Sequence, residues 1–495
     1  MTRERKSSSH KLIFLALFLF LLAGAAAFVV ADHFSSSSLL ARLFSVPGKV
    51  LYSDSLTDAE RSLLASLFEG DDVRLTSDLS VSAFDALDVS SLAANERLFS
   101  ISVPVTNFYS SEANLDVSTP AELQSADLIP LSELNFQKKL LSVNNNYYLD
   151  SFTSGALFRV LRFESADFDS DVAPRLTGSA FDRTFPTKDS VLTFAQTGVT
   201  ALSRGMNAKL AEVGDPKYFS SSLAPLLSSF DLTHTSNESS FSPFASSANI
   251  CSDPRFLDTL LDIGLDIVEL TGNHNVDCGD DSALSTIDSY REKGISLVGG
   301  GKSATEAAVP LNIDQKNTSI TFLAYNESTG GATLDDTPGA NQYSEENAVA
   351  EISAAKSRGD FVIVDVQYYE CSMYVSDVED STCDFANSSA GDQIGFFRHL
   401  IDLGADLVVG TSAHQPQTFE LYGNGAIYYG LGNLFFDQSW WPGTSRSLIL
   451  AHYFYDGHLL QTKILPTAYD SALQPHLLDA ETSAWFLSRL ASARP

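Results

Sequence analysis

The chain has 495 residues, 44% of them apolar and 19% charged, which excludes a disordered polymer and makes two folded domains the natural expectation. Its 62 acidic residues face 31 basic ones, a formal charge of -31, and such a surface repels a phosphate backbone, so nucleic-acid binding is excluded. The acidic residues are spread along the chain, where their ordinary role is solubility.

Arg3, Arg5, Lys6 and Lys11 precede an uncharged apolar run from Leu12 to Ala31. A run of about 20 such residues covers a hydrocarbon core. The positive flank predicts a cytoplasmic tail over 1–11, a single-pass anchor over 12–31 and an extracytoplasmic remainder at the cell membrane. Ala25, Ala26, Ala27 and Ala31 would also suit a signal-peptide cleavage site, but the run exceeds a usual signal core, which favours a retained anchor.

A Ser-rich linker occupies 32–38, and an accessory α/β domain is expected over 39–188. Within it, Asp58–Phe68 has helical spacing behind Thr57, Phe99–Val105 alternates like a strand, and Lys139–Val143 leads into a turn at Asn144–Asn146. From 189 to 470 strand-like runs recur at Val191–Gln196, Asp231–Thr235, Asp266–Leu270, Ile320–Tyr325, Phe361–Val366, Asp406–Val409 and Ala426–Tyr429. Helical patterns at Arg255–Ile263, Ala283–Lys293 and Gln393–Leu403 separate several of them, which predicts a sheet with helices on its faces. Ser447–Tyr455 and His458–Leu465 flank Asp456-Gly457, a hairpin signal and the mark of an antiparallel edge or second sheet. A helical tail is expected over 471–495.

The four cysteines suit an oxidising compartment. Cys371 and Cys383 lie close enough for a local staple, leaving Cys251 with Cys278. Three connectivities are open to the sequence, and no C-x-x-C pair argues for zinc.

Polar residues cluster just past the strand ends: Thr197-Gly198, Ser236-Asn237-Glu238, Thr271-Gly272-Asn273-His274-Asn275 with Asp277, Gln367-Tyr368-Tyr369-Glu370, and Gly410-Thr411-Ser412-Ala413-His414-Gln415. In open α/β sheets that edge is where loops converge on a ligand. No Gly-x-Ser-x-Gly elbow is present, and Gly299-Gly300-Gly301 lacks the Lys-Ser/Thr of a phosphate loop and reads as a turn.

The Thr271–His274 segment with Asp277 and Gly279 resembles the Asn-Asn-His…Asp-x-Gly segment of the CapA family of capsule and poly-γ-glutamate biosynthesis proteins. Gly294-Ile295…Gly299-Gly300-Gly301, Ala307–Pro310, the Gly-x-His-Pro-His-like Asp406–Gln415 and Tyr429-Gly430-Leu431-Gly432-Asn433 continue the resemblance in order, across Val191 to about Thr462. It implies a calcineurin-like metallophosphatase sandwich, a two-layer sheet with flanking helices. In such enzymes carboxylates, His and Asn hold metal ions that generate hydroxide. Three positions depart from the pattern: Thr197-Gly198 offers no carboxylate, Gln367 stands for a His, and Ser412 for the loop's first His.

What survives implies at most one divalent ion, on Glu238, Asn273 and His414, with Asn273 and His274 as catalytic candidates. Thr197, Arg204, Gln367, Glu370, Ser412, Gln415 and Asn433 are candidates for substrate contact. Each has a plain structural reading as well: Asn273 closing a turn, His274 a buried histidine, Glu238 a first-turn helix residue, Arg204 a surface ion pair. The aromatic stretch Tyr428, Tyr429, Phe435, Phe436, Trp440 and Trp441 is core packing or the wall of a polymer cleft.

The expectation is a membrane-anchored protein handling an anionic envelope polymer or peptide, as a metal-assisted hydrolase or transferase with His274 as general acid. The alternative is a catalytically depleted polymer-binding or export scaffold. A third reading is a sensor whose first domain binds a small molecule.

Overall fold

A computed structural model describes residues 62–63, 66–67, 74–81, 96–117, 122–123, 125–152, 154–164, 173–176, 185–327, 330–333, 336–368, 392–438 and 443–495. The apolar run Leu12–Ala31, Glu370, the pair Cys371 and Cys383, and Trp440 with Trp441 lie outside them. Among the described residues no helix is long and apolar enough to cross a membrane.

The chain divides into two compact units, one of residues 1–102 with 156–185, the other of 103–155 with 186–495. The segment 103–155, grouped by its sequence pattern with 39–188, thus packs with the later part of the chain. In the first unit, β1 (Arg74–Val81), the start of β2 (Glu96–Asn107) and β3 (Leu157–Glu164) form an antiparallel sheet in the order β1-β3-β2.

The second unit holds two larger sheets. The first contains β4 (Leu192–Thr200), β5 (Leu232–Asn237), β6 (Ile267–Glu269) and β7 (Ser296–Val298), all parallel. The second is built from β8 (Leu311–Gln315), β9 (Thr318–Asn326), β10 (Phe361–Gln367), β11 (Leu407–Gly410), β12 (Phe419–Tyr422) and β13 (Gly425–Tyr428), in the order β8-β9-β10-β11-β13-β12. Its middle strands are parallel and its edge pairs antiparallel. The short strand β14 (Asn433–Phe435) returns to pair with β4, and β15 (Arg446–Tyr455), β16 (His458–Ala468) and β17 (His476–Leu477) complete the first sheet antiparallel. The β15–β16 hairpin turns at Asp456-Gly457, both at positive φ (50° and 78°), the backbone that this dipeptide tolerates.

Strand alternation sorts side chains into three layers of core. Leu192 and Phe194 of β4, Ile320 and Phe322 of β9, and Ile363 of β10 meet between the sheets. Ala195 and Val268 face the other way, onto Leu210 of α1 (Gly205–Val213), Leu260 of α2 (Leu257–Asp262) and Ile287 of α3 (Asp280–Glu292). Val362, Val364 and Val366 pack under Ile352 of α4 (Glu345–Arg358) and Phe397 of α5 (Gln393–Asp402). The result is a helix–sheet–sheet–helix sandwich, a mixed α/β fold. The expected C-terminal tail is part of it: β17 extends the first sheet, and Phe486 and Leu490 of α6 (Ala480–Ser492) are buried in the inter-sheet core.

Candidate functional site

Inward-facing positions of the parallel strands change character along their length. Leu192 and Phe194 give way to Gln196 on β4; Leu232 gives way to His234 and Ser236 on β5; Ile267 to Glu269 on β6; and Ile363 to Asp365 and Gln367 on β10. All the polar members are buried. Because the strands run in parallel, these side chains stack at one edge of the sandwich. Gln196 Nε2 donates to Asp365 Oδ1 at 2.6 Å, and His234 Nε2 lies 3.3 Å from Asp365 Oδ2. Glu269 Oε1 accepts from the amide and the hydroxyl of Thr271. Burial, with Asp365 nearby, pushes the Glu269 carboxyl up to about 6. His452, stacked on Phe194 at 5.4 Å, is pushed down to about 3 by burial and by His234.

The loops above this column carry the residues singled out by sequence. Glu238 follows β5 directly, in a loop and not in a helix, with its amide on the Thr200 carbonyl at 2.9 Å and its side chain fully buried. Gly272 is required beside it, since a Cβ there would come within 2.7 Å of Glu238 Cα. Gln367, at the end of β10, donates through Nε2 to Asn273 Oδ1 at 3.2 Å and to Glu238 Oε1 at 3.5 Å. Its own Oε1 is buried with no hydrogen-bond partner among the described residues.

His414 stands across from Glu238, its Nε2 3.9 Å from Glu238 Oε2. Asn433 orients the ring: its Nδ2 donates to Gln438 Oε1 at 3.1 Å and the Thr444 carbonyl at 2.9 Å, which turns Oδ1 toward His414 Nδ1 at 2.8 Å. Phe436 packs on the ring at 5.2 Å, and the Arg204 guanidinium covers Phe436 at 4.4 Å.

Sequence candidates separate into three groups. Glu238, Asn273, Gln367, His414 and Asn433 are brought together. His274 sits at the rim, 29% exposed, with Nδ1 2.7 Å from Asp277 Oδ2; Gln415 is buried on the His414 loop, with Ser412 half-buried beside it. Thr197 and Arg204 are engaged elsewhere. Thr197 Oγ1 donates into the β4–β5 seam, to the His234 carbonyl at 2.9 Å, and Arg204 pairs with Asp437 at 2.8 Å. Cys251 and Cys278 form a disulfide, with an S–S distance of 2.01 Å, at the foot of the His274–Asp277 loop.

Sequence reasoning passed over Asp365, His234, Glu269 and Asn326. Asn326 Nδ2 holds the Asn273 loop through the Thr271 and Gly330 carbonyls, both at 2.8 Å. The available signal was a lone carboxylate inside the apolar run Phe361–Val366, at a position of inward parity.

Residues 193–438 match the family model described as "Bacterial capsule synthesis protein PGA_cap". The "Capsule biosynthesis protein CapA" of Bacillus anthracis is 25% identical over 195 residues, 38% of this chain and 44% of that one. The chain is a divergent member of the CapA family. The "PGA biosynthesis protein CapA" of Bacillus subtilis (strain 168) is 28% identical over 196 residues, covering 39% of this chain and 48% of its own. The chain thus spans less than half the length of these curated CapA relatives.

The metal chemistry that the sequence resemblance implies needs anionic and imidazole ligands in number. The residues here do not fit two ions. Among the described residues no three His, Cys, Asp or Glu side chains converge as a ligand set. Of the expected ligand set, Glu238 Oε1 and Asn273 Oδ1 already accept from the Gln367 amide nitrogen.

Proposed function

We propose that this chain is a membrane-tethered, extracytoplasmic component of capsule, poly-γ-glutamate or related envelope-polymer assembly, and that its cleft binds the polymer without a dinuclear hydrolytic centre. The observation that carries this reading is the Gln367 amide donating to both Glu238 and Asn273. That one amide nitrogen donates to oxygens of two of the three residues that the expected ion would need. The same edge presents the half-buried Asn273 amide and His414 imidazole, backed by the buried amides of Gln367 and Gln415, and the two half-buried groups suit hydrogen bonding to a chain of amide units. The names of the CapA relatives support the substrate class, and the positive flank of Leu12–Ala31 supports the anchor.

The test is binding of poly-γ-glutamate oligomers to the chain by calorimetry, beside metal analysis of protein prepared without chelators. Saturable binding, weakened in Gln367→Leu, with no stoichiometric metal, is the expected result. One equivalent of metal, lost in Glu238→Ala and His414→Ala and accompanied by polymer cleavage, would sink it.

That outcome would establish a second reading, in which one divalent ion sits on Glu238, Asn273 and His414. The approach of His414 Nε2 to Glu238 Oε2 favours it. Such an ion would supply Lewis acidity and a bound hydroxide, and His274, oriented by Asp277, would deliver a proton from the rim.

A further inference from the structure

A cavity of about 350 Å³ lies within the second unit and shares no lining residue with the site above. That volume is in the range of small-ligand sites. The loop after β2, strand β16 and helix α6 enclose it, and Phe108, Leu465, Leu478 and Leu487 supply apolar wall. Although the chain carries twice as many acidic as basic residues, no carboxylate among the described residues lines this cavity, whereas Lys139 and Lys463 do.

The two lysines differ in what already holds them. Lys463 is paired with Asp150 at 2.8 Å and lies over the Tyr147 ring at 4.3 Å. Lys139 donates to the Ser110 carbonyl at 2.8 Å, and among the described residues no carboxylate comes within ion-pairing distance of it. Glu112 is the acidic group that acts on it, through space, and burial pushes the Lys139 ammonium down to about 8. A purely apolar occupant would strip this ammonium of more water without replacing it, at a cost. An anionic head would restore a partner and place a charge-assisted hydrogen bond in a half-dry setting. A γ-glutamyl polymer, charged at every unit, gains nothing from the leucine wall.

We propose that this cavity binds a chain-like monocarboxylate amphiphile, its hydrocarbon against Phe108, Leu465, Leu478 and Leu487 and its carboxylate on Lys139. The site is separate from the polymer cleft and stands whether or not that cleft binds polymer.

The experiment uses the chain freed of detergent, with dodecanoate as the probe and 1-decanol as its neutral counterpart, read by calorimetry. One-to-one saturable binding of dodecanoate is expected, weakened at least about tenfold in Lys139→Met, which keeps the stem and loses the charge. Decanol affinity should be the same in both proteins. Ala484→Trp, which fills the cavity from α6, should abolish both ligands; Leu487→Gln serves if that variant melts early. Polymer binding should be unaffected by all three. The proposal is overturned if dodecanoate does not saturate, if Lys139→Met binds it as tightly as wild type, or if decanol binds as well as the acid. Binding to anionic phosphatidylglycerol vesicles in place of free dodecanoate would overturn it too, in favour of a membrane contact.

Discussion

Asn433 Oδ1 lies 2.8 Å from His414 Nδ1, and this contact directs the opposite ring nitrogen at Glu238. The acceptor is unambiguous, since the Asn433 amide nitrogen is committed to Gln438 and Thr444. Asn433 is therefore a positioning residue for His414. Asn433→Ala and His414→Gln are each expected to weaken polymer binding about tenfold, and the double variant should be no weaker than either single one. Additive losses in that cycle would mean that Asn433 acts on something else.

Gln367 separates binding from metal chemistry. Replacing its amide with an imidazole removes the donor between Glu238 and Asn273 and adds a ligand. Gln367→His is expected to gain about one equivalent of Zn²⁺ or Mn²⁺ that wild type lacks, with Glu238→Ala cancelling the gain. Metal analysis after dialysis reads this directly. Equal metal content in the two proteins would show that Gln367 is not the obstacle.

Two buried groups give stability opposite pH dependences. Glu269 has its carboxyl raised to about 6 from 4.5, so its contribution is full below about 4.5 and lost as pH rises through 6. Glu269→Gln keeps an acceptor for Thr271 and should be more stable than wild type by up to about 2 kcal/mol at pH 7.5, converging near pH 4.5. His452 is lowered to about 3 from 6.5, so its contribution is full above about 6.5 and lost as pH falls toward 3. His452→Gln should flatten the acid limb of the stability curve. Urea midpoints between pH 4.5 and 8 measure both, and parallel curves for the variants and wild type would contradict the assignments.

Charge opposes the proposed partner. A chain at -31 and a polyanion repel one another at long range, so short-range amide contacts must carry the affinity. Poly-γ-glutamate should accordingly bind tighter at 300 mM than at about 30 mM salt, where the Debye length is longer. A fall in affinity with salt would mean that cationic contacts dominate and that another face binds the polymer.

The Cys251–Cys278 disulfide closes a separation of 27 residues at the foot of the loop that ends in the His274–Asp277 pair. Cys251→Ser with Cys278→Ser should cost about 3.5 kcal/mol by loop-closure entropy. It should also raise amide exchange over 271–278 more than over β10. Uniform exchange across both would remove the disulfide from any part in ordering the site.

Much of this protein is legible in local pattern. Strand-like apolar runs predict β4, β5, β9 and β10 within a few residues, Asp456-Gly457 predicts the β15–β16 hairpin, and the polar clusters fall where parallel strands end, because run composition and turn backbone are properties of neighbouring residues. The motif order from Thr271 to Asn433 was enough to reach the CapA family. Partnership was not legible. Gln367 reaches Glu238 across 129 residues, His414 is aimed by Asn433 while Thr197 and Arg204 turn to other partners, and segment 103–155 joins the later unit to help wall a cavity. Those pairings depend on which strands lie side by side and at what register, and only long-range packing sets both.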